Sequence, residues 1–136
     1  MADIERINEL VAEKDFENAK VLLDEALHES PDGVELLKLA GLTAVNLKNW
    51  PDAKKYFETV VKYQQDDATS WFYLASSYES LGDSISSKNA YINVINLRPE
   101  YMEAYQSLCV ILLKLNEIED TKYPNFVKFI KLKHLY

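Results

Sequence analysis

One spacing constrains this chain more than any other property: chemically matched residues recur every 34 positions. Trp71, Leu74, Ala75 and Tyr78 are followed by Gly82, Tyr91 and Pro99. Thirty-four residues earlier stand Leu37, Ala40, Gly41, Ala44, Lys48, Ala53 and Phe57, and another 34 back stand Ala19, Leu23, Ala26 and Pro31. Thirty-four residues beyond Trp71 come Tyr105, Leu108, Cys109, Leu112 and Asn116. Phe16 and Trp50 are also 34 apart. Self-similarity at such a period means stacked units, none of which can bury its apolar face alone.

Within each unit the apolar pattern is helical. In 50–63, Trp50, Ala53, Phe57, Val60 and Val61 keep the rhythm of a helix buried on one side. In 34–47 the apolar residues occupy two sides, as a helix packed between neighbours requires. Small residues mark close helix crossings: Gly41, Ala75 and Cys109 on first helices, Ala19 and Ala53 on second ones. Ser30-Pro31-Asp32-Gly33, Asn49-Trp50-Pro51, Gly82-Asp83 and Arg98-Pro99-Glu100 punctuate the chain. Helices are expected at about 2–13, 16–29, 34–47, 50–64, 68–81, 84–97 and 101–115, with an irregular pair within 117–135. With only 3 Gly and 4 Pro, few residues interrupt them.

This pattern resembles the tetratricopeptide repeat, a 34-residue helix–turn–helix unit. The resemblance covers about residues 1–120, with Ser87 in place of a small Ala and Gln65 in place of a Pro. It implies an all-α, right-handed solenoid of stacked hairpins forming one domain over 1–136. Repeats are expected at about 1–33, 34–67, 68–101 and 102–123, followed by a C-terminal cap or tail at 124–136. Trp71, Leu74, Tyr78 and Phe57 are expected in the core.

The fourth unit breaks its register because Pro124 falls inside its second helix, where proline costs roughly 3 kcal/mol. From Pro124 on, Phe126, Phe129, Ile130 and Leu132 alternate with Lys128, Lys131 and Lys133. Such a segment reads as a cap over the fourth unit, or as a basic amphipathic stretch that binds an acidic surface, a membrane or a second copy.

Charge narrows the partners. Residues 1–120 hold 11 Lys plus Arg against all 22 acidic residues, a balance of −11, whereas residues 121–136 hold four Lys and no acid. An acidic body repels phosphate backbones, so nucleic acid is not an expected partner. No apolar run approaches the roughly 20 residues of a membrane span, and MADIERINEL lacks the features of a signal peptide. A lone Cys109 fits a reducing compartment, hence a cytoplasmic expectation.

Catalytic chemistry finds no constellation. His28 and His134 are remote from each other and lack companions at ligand spacing, and Gly33, Gly41 and Gly82 do not cluster into a phosphate loop. No nucleophile, base and orienter assemble, and neither cofactor nor metal is expected.

Binding is the expectation instead. The resemblance implies a concave groove walled mainly by first helices. Here that wall is Asn8 and Val11; Lys38, Leu39, Leu42, Val45 and Asn46; Thr69, Phe72, Tyr73, Ser76, Glu79 and Ser80; and Gln106, Ser107, Val110 and Leu113. Phe72 and Tyr73 are extra to the repeat's packing pattern, so they are expected to face a ligand. Family members that clamp a chaperone's C-terminal carboxylate use Lys, Asn and Arg at set groove positions. Asn8 matches one such position, but Ile4, Leu39, Thr69 and Tyr73 fill the others; in the other register Lys38 matches while Leu42, Tyr73, Glu103 and Gln106 do not. The cationic clamp is missing. The expected role is an adaptor holding a protein segment or peptide in the groove. A repeat module of a larger enzyme or secretion machine, and a scaffold self-associating through its terminal repeats, are the alternatives.

Overall fold

A computed structural model describes residues 3–116 of the chain. Seven helices succeed one another with no strand among the described residues: α1 (Ile4–Ala12), α2 (Phe16–Glu29), α3 (Val34–Asn46), α4 (Trp50–Tyr63), α5 (Ala68–Ser80), α6 (Ser84–Leu97) and α7 (Met102–Lys114). Each expected helix within these residues is present, its ends shifted by at most two residues. The expected irregular pair after 116 and the cap or tail at 124–136 lie outside the described residues.

The hairpin turns follow from a backbone device repeated at the sequence period. Lys14, Lys48, Gly82 and Asn116 take left-handed φ of 61°, 58°, 82° and 57°, each just past a first helix. A left-handed residue lets the next amide reach back into the helix and satisfy a terminal carbonyl. The amides of Asp15, Asn49 and Asp83 accordingly donate to the carbonyls of Leu10, Ala44 and Tyr78 at 2.8, 2.8 and 2.9 Å. The same three side chains then cap α2, α4 and α6, accepting from the amides of Asn18, Asp52 and Ser86. One turn thus ends a helix and starts the next in two residues. This fixes the antiparallel hairpin.

Packing between hairpins makes two layers. Along the first helices α1 touches α3 and α3 touches α5, whereas no comparable contact joins α2 to α4 or α4 to α6. The first helices thus form one layer of the stack and the second helices the other. Between the layers lies the core: Leu23, Phe57 and Tyr91 hold equivalent places on second helices and are 1%, 2% and 1% exposed. Gly41 shows how tight the crossing is. A Cβ there would meet the Phe57 ring at 2.6 Å, inside van der Waals contact.

Two expectations about the core need correction. Leu74 and Phe57 are buried as expected, but Trp71 and Tyr78 are half-buried. Trp71 lies along the seam between hairpins with its indole N–H donating to the Gln65 carbonyl at 2.9 Å. That keeps the polar edge of the ring at the surface. Tyr78 is covered on one side only by the Lys54 ammonium, 5.9 Å from the ring centroid.

Candidate functional site

The expected wall consists of residues that the helical period turns away from the hairpin seam. On α3 the period brings Lys38, Leu39, Leu42, Val45 and Asn46 to one side. On α5 it brings Thr69, Phe72, Tyr73, Ser76, Glu79 and Ser80, and on α7 Gln106, Ser107, Val110 and Leu113. Asn8 and Val11 supply the α1 portion. Exposure rises toward α7: Leu39, Leu42, Val45, Phe72 and Tyr73 are half-buried, whereas Val110 and Leu113 are 46% and 40% exposed.

Phe72 and Tyr73 are packing residues as well as wall residues, which corrects the expectation that they stand clear of the fold. Tyr73 stacks on the buried Phe57 at a centroid distance of 5.4 Å. Phe72 meets Tyr91 at 5.8 Å and Tyr101 at 5.1 Å, so it ties α5 to α6 and to the start of α7. The two rings also meet each other edge to face at 5.9 Å. Their exposed edges still present aromatic surface, but truncating them removes stability along with any ligand contact. Leu39 and Val45 have the same double duty, packing against the α1–α3 and α4–α5 clusters respectively.

Lys38 and Asn46 of the expected wall are engaged within the fold. Lys38 Nζ lies 2.9 Å from Asp67 and 3.7 Å from Glu35. Asp67 caps α5, accepting from the Ser70 amide and hydroxyl. The Asp67 hydrogen bond raises the Lys38 pKa above its ordinary value. Burial pushes Asp67 up, but the hydrogen bonds from Lys38 and Ser70 outweigh it and hold the carboxyl below its ordinary range. The one lysine on the α3 wall is therefore engaged in tying hairpin to hairpin. Asn46 is turned back on its own helix, donating to the Leu42 carbonyl at 2.8 Å.

A second polar node was not legible as part of the wall. Tyr91, a core residue of α6, donates its hydroxyl to Glu79 at 3.0 Å and lies 3.2 Å from the Ser76 hydroxyl. Burial pushes the phenol up to about 12, with Glu79 adding to the shift while Ser76 and Ser107 oppose it. Glu79 is thereby fixed in place on the wall as an acceptor. The available signal was the residue type: Leu23 and Phe57 hold this slot elsewhere, and a buried tyrosine hydroxyl needs a partner. Tyr101, against Phe72, was also missed: it opens the expected helix 101–115, and no repeat position marks it.

Two recesses among the described residues lie away from this wall. A narrow one between α2, α3 and α4 is edged by Lys20, Asp24, Thr43 and Tyr56, and a wider one on the outer face by Lys54, Lys62, Tyr78 and Leu81. Among the described residues no grouping of His, Cys, Asp and Glu could hold a metal ion. No described helix is long and apolar enough to cross a membrane.

Comparison with known proteins agrees with this architecture. The sequence profile of the tetratricopeptide repeat matches residues 10–77, and a second profile of the same description matches 68–101. Among solved structures, a crystal structure of MamA is 23% identical, covering 88% of this chain and 71% of its own, at a TM-score of 0.78. The MamA RS-1 ArsTM double mutant superposes at 0.83 with 18% identity, covering 96% of this chain and 74% of its own. The first such repeat domain of Spaghetti (RPAP3), bound to the HSP90 peptide SRMEEVD, superposes at 0.76 with 18% identity, covering 82% and 89%. No curated protein matches the sequence.

Proposed function

Because the chain belongs to the tetratricopeptide repeat family, we propose that it is an interaction adaptor whose first-helix wall holds a peptide or helix of a partner protein. The domain limits of the proposal are those read from the sequence, one unit over 1–136. It assigns the chain a binding role and no catalytic one.

The observation that carries the reading is the composition of the wall. Leu39, Leu42, Phe72, Tyr73, Val110 and Leu113 offer apolar and aromatic surface across three hairpins. The charges left over are negative: Lys38 is engaged by Asp67 and Glu35, while among the described residues Glu79 and the exposed Glu103 have no cation paired to them. Apolar anchors with basic flanks complement such a surface, and an acidic peptide is repelled by it. The RPAP3 repeat domain is solved with an acidic peptide; this wall suits a ligand of the opposite charge. Partners of this chain are thus protein segments rich in Leu, Ile or Phe with Lys or Arg beside them.

The test is selection from a random peptide library on the full chain. Selected sequences are expected to carry apolar anchors flanked by basic residues. Val110→Asp with Leu113→Asp is expected to abolish their binding with the fold retained by circular dichroism, since both side chains are partly exposed. Selection of acidic peptides, or undiminished binding by the double variant, would reject the wall as the site.

A further inference from the structure

We propose that the lysine-edged recess beside α4 holds helix α2 of a second copy of this chain, so that two copies associate through their second helices. This surface is separate from the expected wall, and the association does not depend on what the wall binds.

Charge is spread unevenly along the stack. Residues 1–33 carry 10 acidic side chains against Arg6, Lys14 and Lys20, a balance of −7. Residues 34–67 carry five acidic and five basic side chains, a balance of zero. Of those five lysines, Lys38 is held by Asp67 and Glu35, and Lys48 sits in the left-handed turn. The other three, Lys54, Lys55 and Lys62, all line one recess. None of the three belongs to an ion pair among the described residues.

The recess has an apolar part as well. Tyr78 is half-buried and Leu81 is 42% exposed, and Lys54 stands over the Tyr78 ring. Two carboxylates share the site without cancelling the lysines. Asp83 is engaged as the cap of α6, and Glu58 lies one helical turn from both Lys54 and Lys62. Lys55 and Lys62 fall two turns apart on one side of α4, about 10 Å along its axis. Exposed apolar side chains rimmed by unpaired cations fit an acidic surface with an apolar centre.

Helix α2 presents such a surface. Val21 is 56% exposed, with the exposed Glu17 and Glu25 one turn to either side. Neither carboxylate belongs to an ion pair among the described residues. Residues four apart form one ridge of a helix, and the two carboxylates are about 12 Å apart along it. The ridge thus matches the lysine pair in length and opposes it in sign, with a valine between to meet Tyr78 and Leu81. Within one copy α2 packs on α1 and α3, and this ridge stays in solvent. A second copy is what brings the ridge to the recess. The net charge of −7 on each copy opposes association, but salt screens it beyond about 8 Å and leaves the contacting pairs far less affected. Because α2 and α4 are both second helices, one two-fold axis makes the contact twice.

Sedimentation of the full chain tests this, with circular dichroism confirming that each form is folded. The unaltered chain is expected to form a dimer whose fraction rises with concentration. Lys55→Glu with Lys62→Glu, and separately Glu17→Lys with Glu25→Lys, should each weaken it at least tenfold, since like charges then face each other. Val21→Ser, which alters no charge, should weaken it about tenfold because the contact is made twice. The decisive sample is an equal mixture of the two charge-reversed forms. Each recess then faces a ridge of opposite sign, and a heterodimer should return to the affinity of the unaltered chain. A dimer that survives either reversal overturns the proposal, and so does a mixture that stays monomeric, because the reversals then act through net charge alone. An unaltered chain that remains a monomer up to about 1 mM also overturns it, and leaves the recess to an acidic partner other than this chain.

Discussion

The hairpins α3–α4 and α5–α6 are the same construction carried out with different residues at four matched slots. Where the first has Gly41, Lys48, Ala53 and Phe57, the second has Ala75, Gly82, Ser87 and Tyr91. The first hairpin carries hydrocarbon at Ala53 and Phe57, and Phe57 sits so close to α3 that only a glycine fits beneath it. The second places two hydroxyls in the same seam and satisfies both. Ser87 Oγ donates to the Ala75 carbonyl at 2.8 Å, and Tyr91 reaches Ser76 and Glu79 on the wall. A repeat slot therefore specifies volume first. Polarity is admitted wherever the neighbouring helix offers a partner. Of these two hairpins, only the one with the tyrosine links its core to a carboxylate on its first helix.

The sharpest break of the comparison is truncation of the large ring in each hairpin. Phe57→Ala is expected to destabilise the fold by about 3–5 kcal/mol, the range for a fully buried aromatic. Tyr91→Ala should fall in the same range, because the slot is equally buried. Urea denaturation followed by circular dichroism measures both. A loss below about 1 kcal/mol at either site would mean that the two slots are not equivalent.

A smaller effect separates the rings by their hydroxyl. The Tyr91 phenol is pushed from 10.0 to about 12 in the folded chain, chiefly by burial. Folding therefore holds the proton more tightly than the unfolded chain does. The corresponding stability is complete below pH 10 and is lost as pH rises from 10 toward 12, where the unfolded chain ionises first. At about 1.4 kcal/mol per unit this amounts to about 2–3 kcal/mol. Tyr56, Tyr78 and Tyr101 are also raised by burial, and Lys38 by its hydrogen bond to Asp67. Tyr91→Phe should thus narrow the alkaline loss without removing it. Denaturation midpoints of the two chains across this pH range test the point, and parallel curves would contradict it.

Most of the architecture was legible because volume and period are one-dimensional quantities. The 34-residue spacing located all seven described helices, and Asn49 and Asp83 announced their caps. The failures have a common cause in helix geometry. Trp71 and Tyr78 carry the repeat's aromatic marks, yet they lie along seams that a neighbouring helix covers on one side only. Phe72 and Tyr73 looked free because the repeat pattern assigns them no partner; Phe57, Tyr91 and Tyr101 supply partners from other helices, which no local spacing encodes. Charge pairing was no more legible than these ring contacts. Lys38 reads as a cation for a ligand until Asp67, from the next hairpin, is seen to hold it.

The finest distinction lies in the turns. Lys48 and Gly82 occupy one slot with φ of 58° and 82°, so the second hairpin meets a left-handed demand with glycine and the first with a lysine. An L-residue in that region carries about 1–2 kcal/mol of steric cost, whereas glycine avoids it and gives up about 0.4–1 kcal/mol through the greater freedom of its unfolded chain. The steric term is the larger, so Lys48→Gly should stabilise the chain by roughly 0.5–1 kcal/mol. Nothing offsets the gain, because the Lys48 side chain is exposed. The mirror substitution tests the same term from the other side. A Cβ at Gly82 would meet no atom within 4 Å, so any loss in Gly82→Ala comes from the backbone alone. It should be of similar size and opposite sign. Thermal denaturation of the two variants beside the unaltered chain resolves shifts of this magnitude in a domain of this size, about 2–5 °C. If Lys48→Gly lowers the midpoint, the unfolded-chain term outweighs the strain, and the lysine is the better residue for a left-handed turn between these two helices.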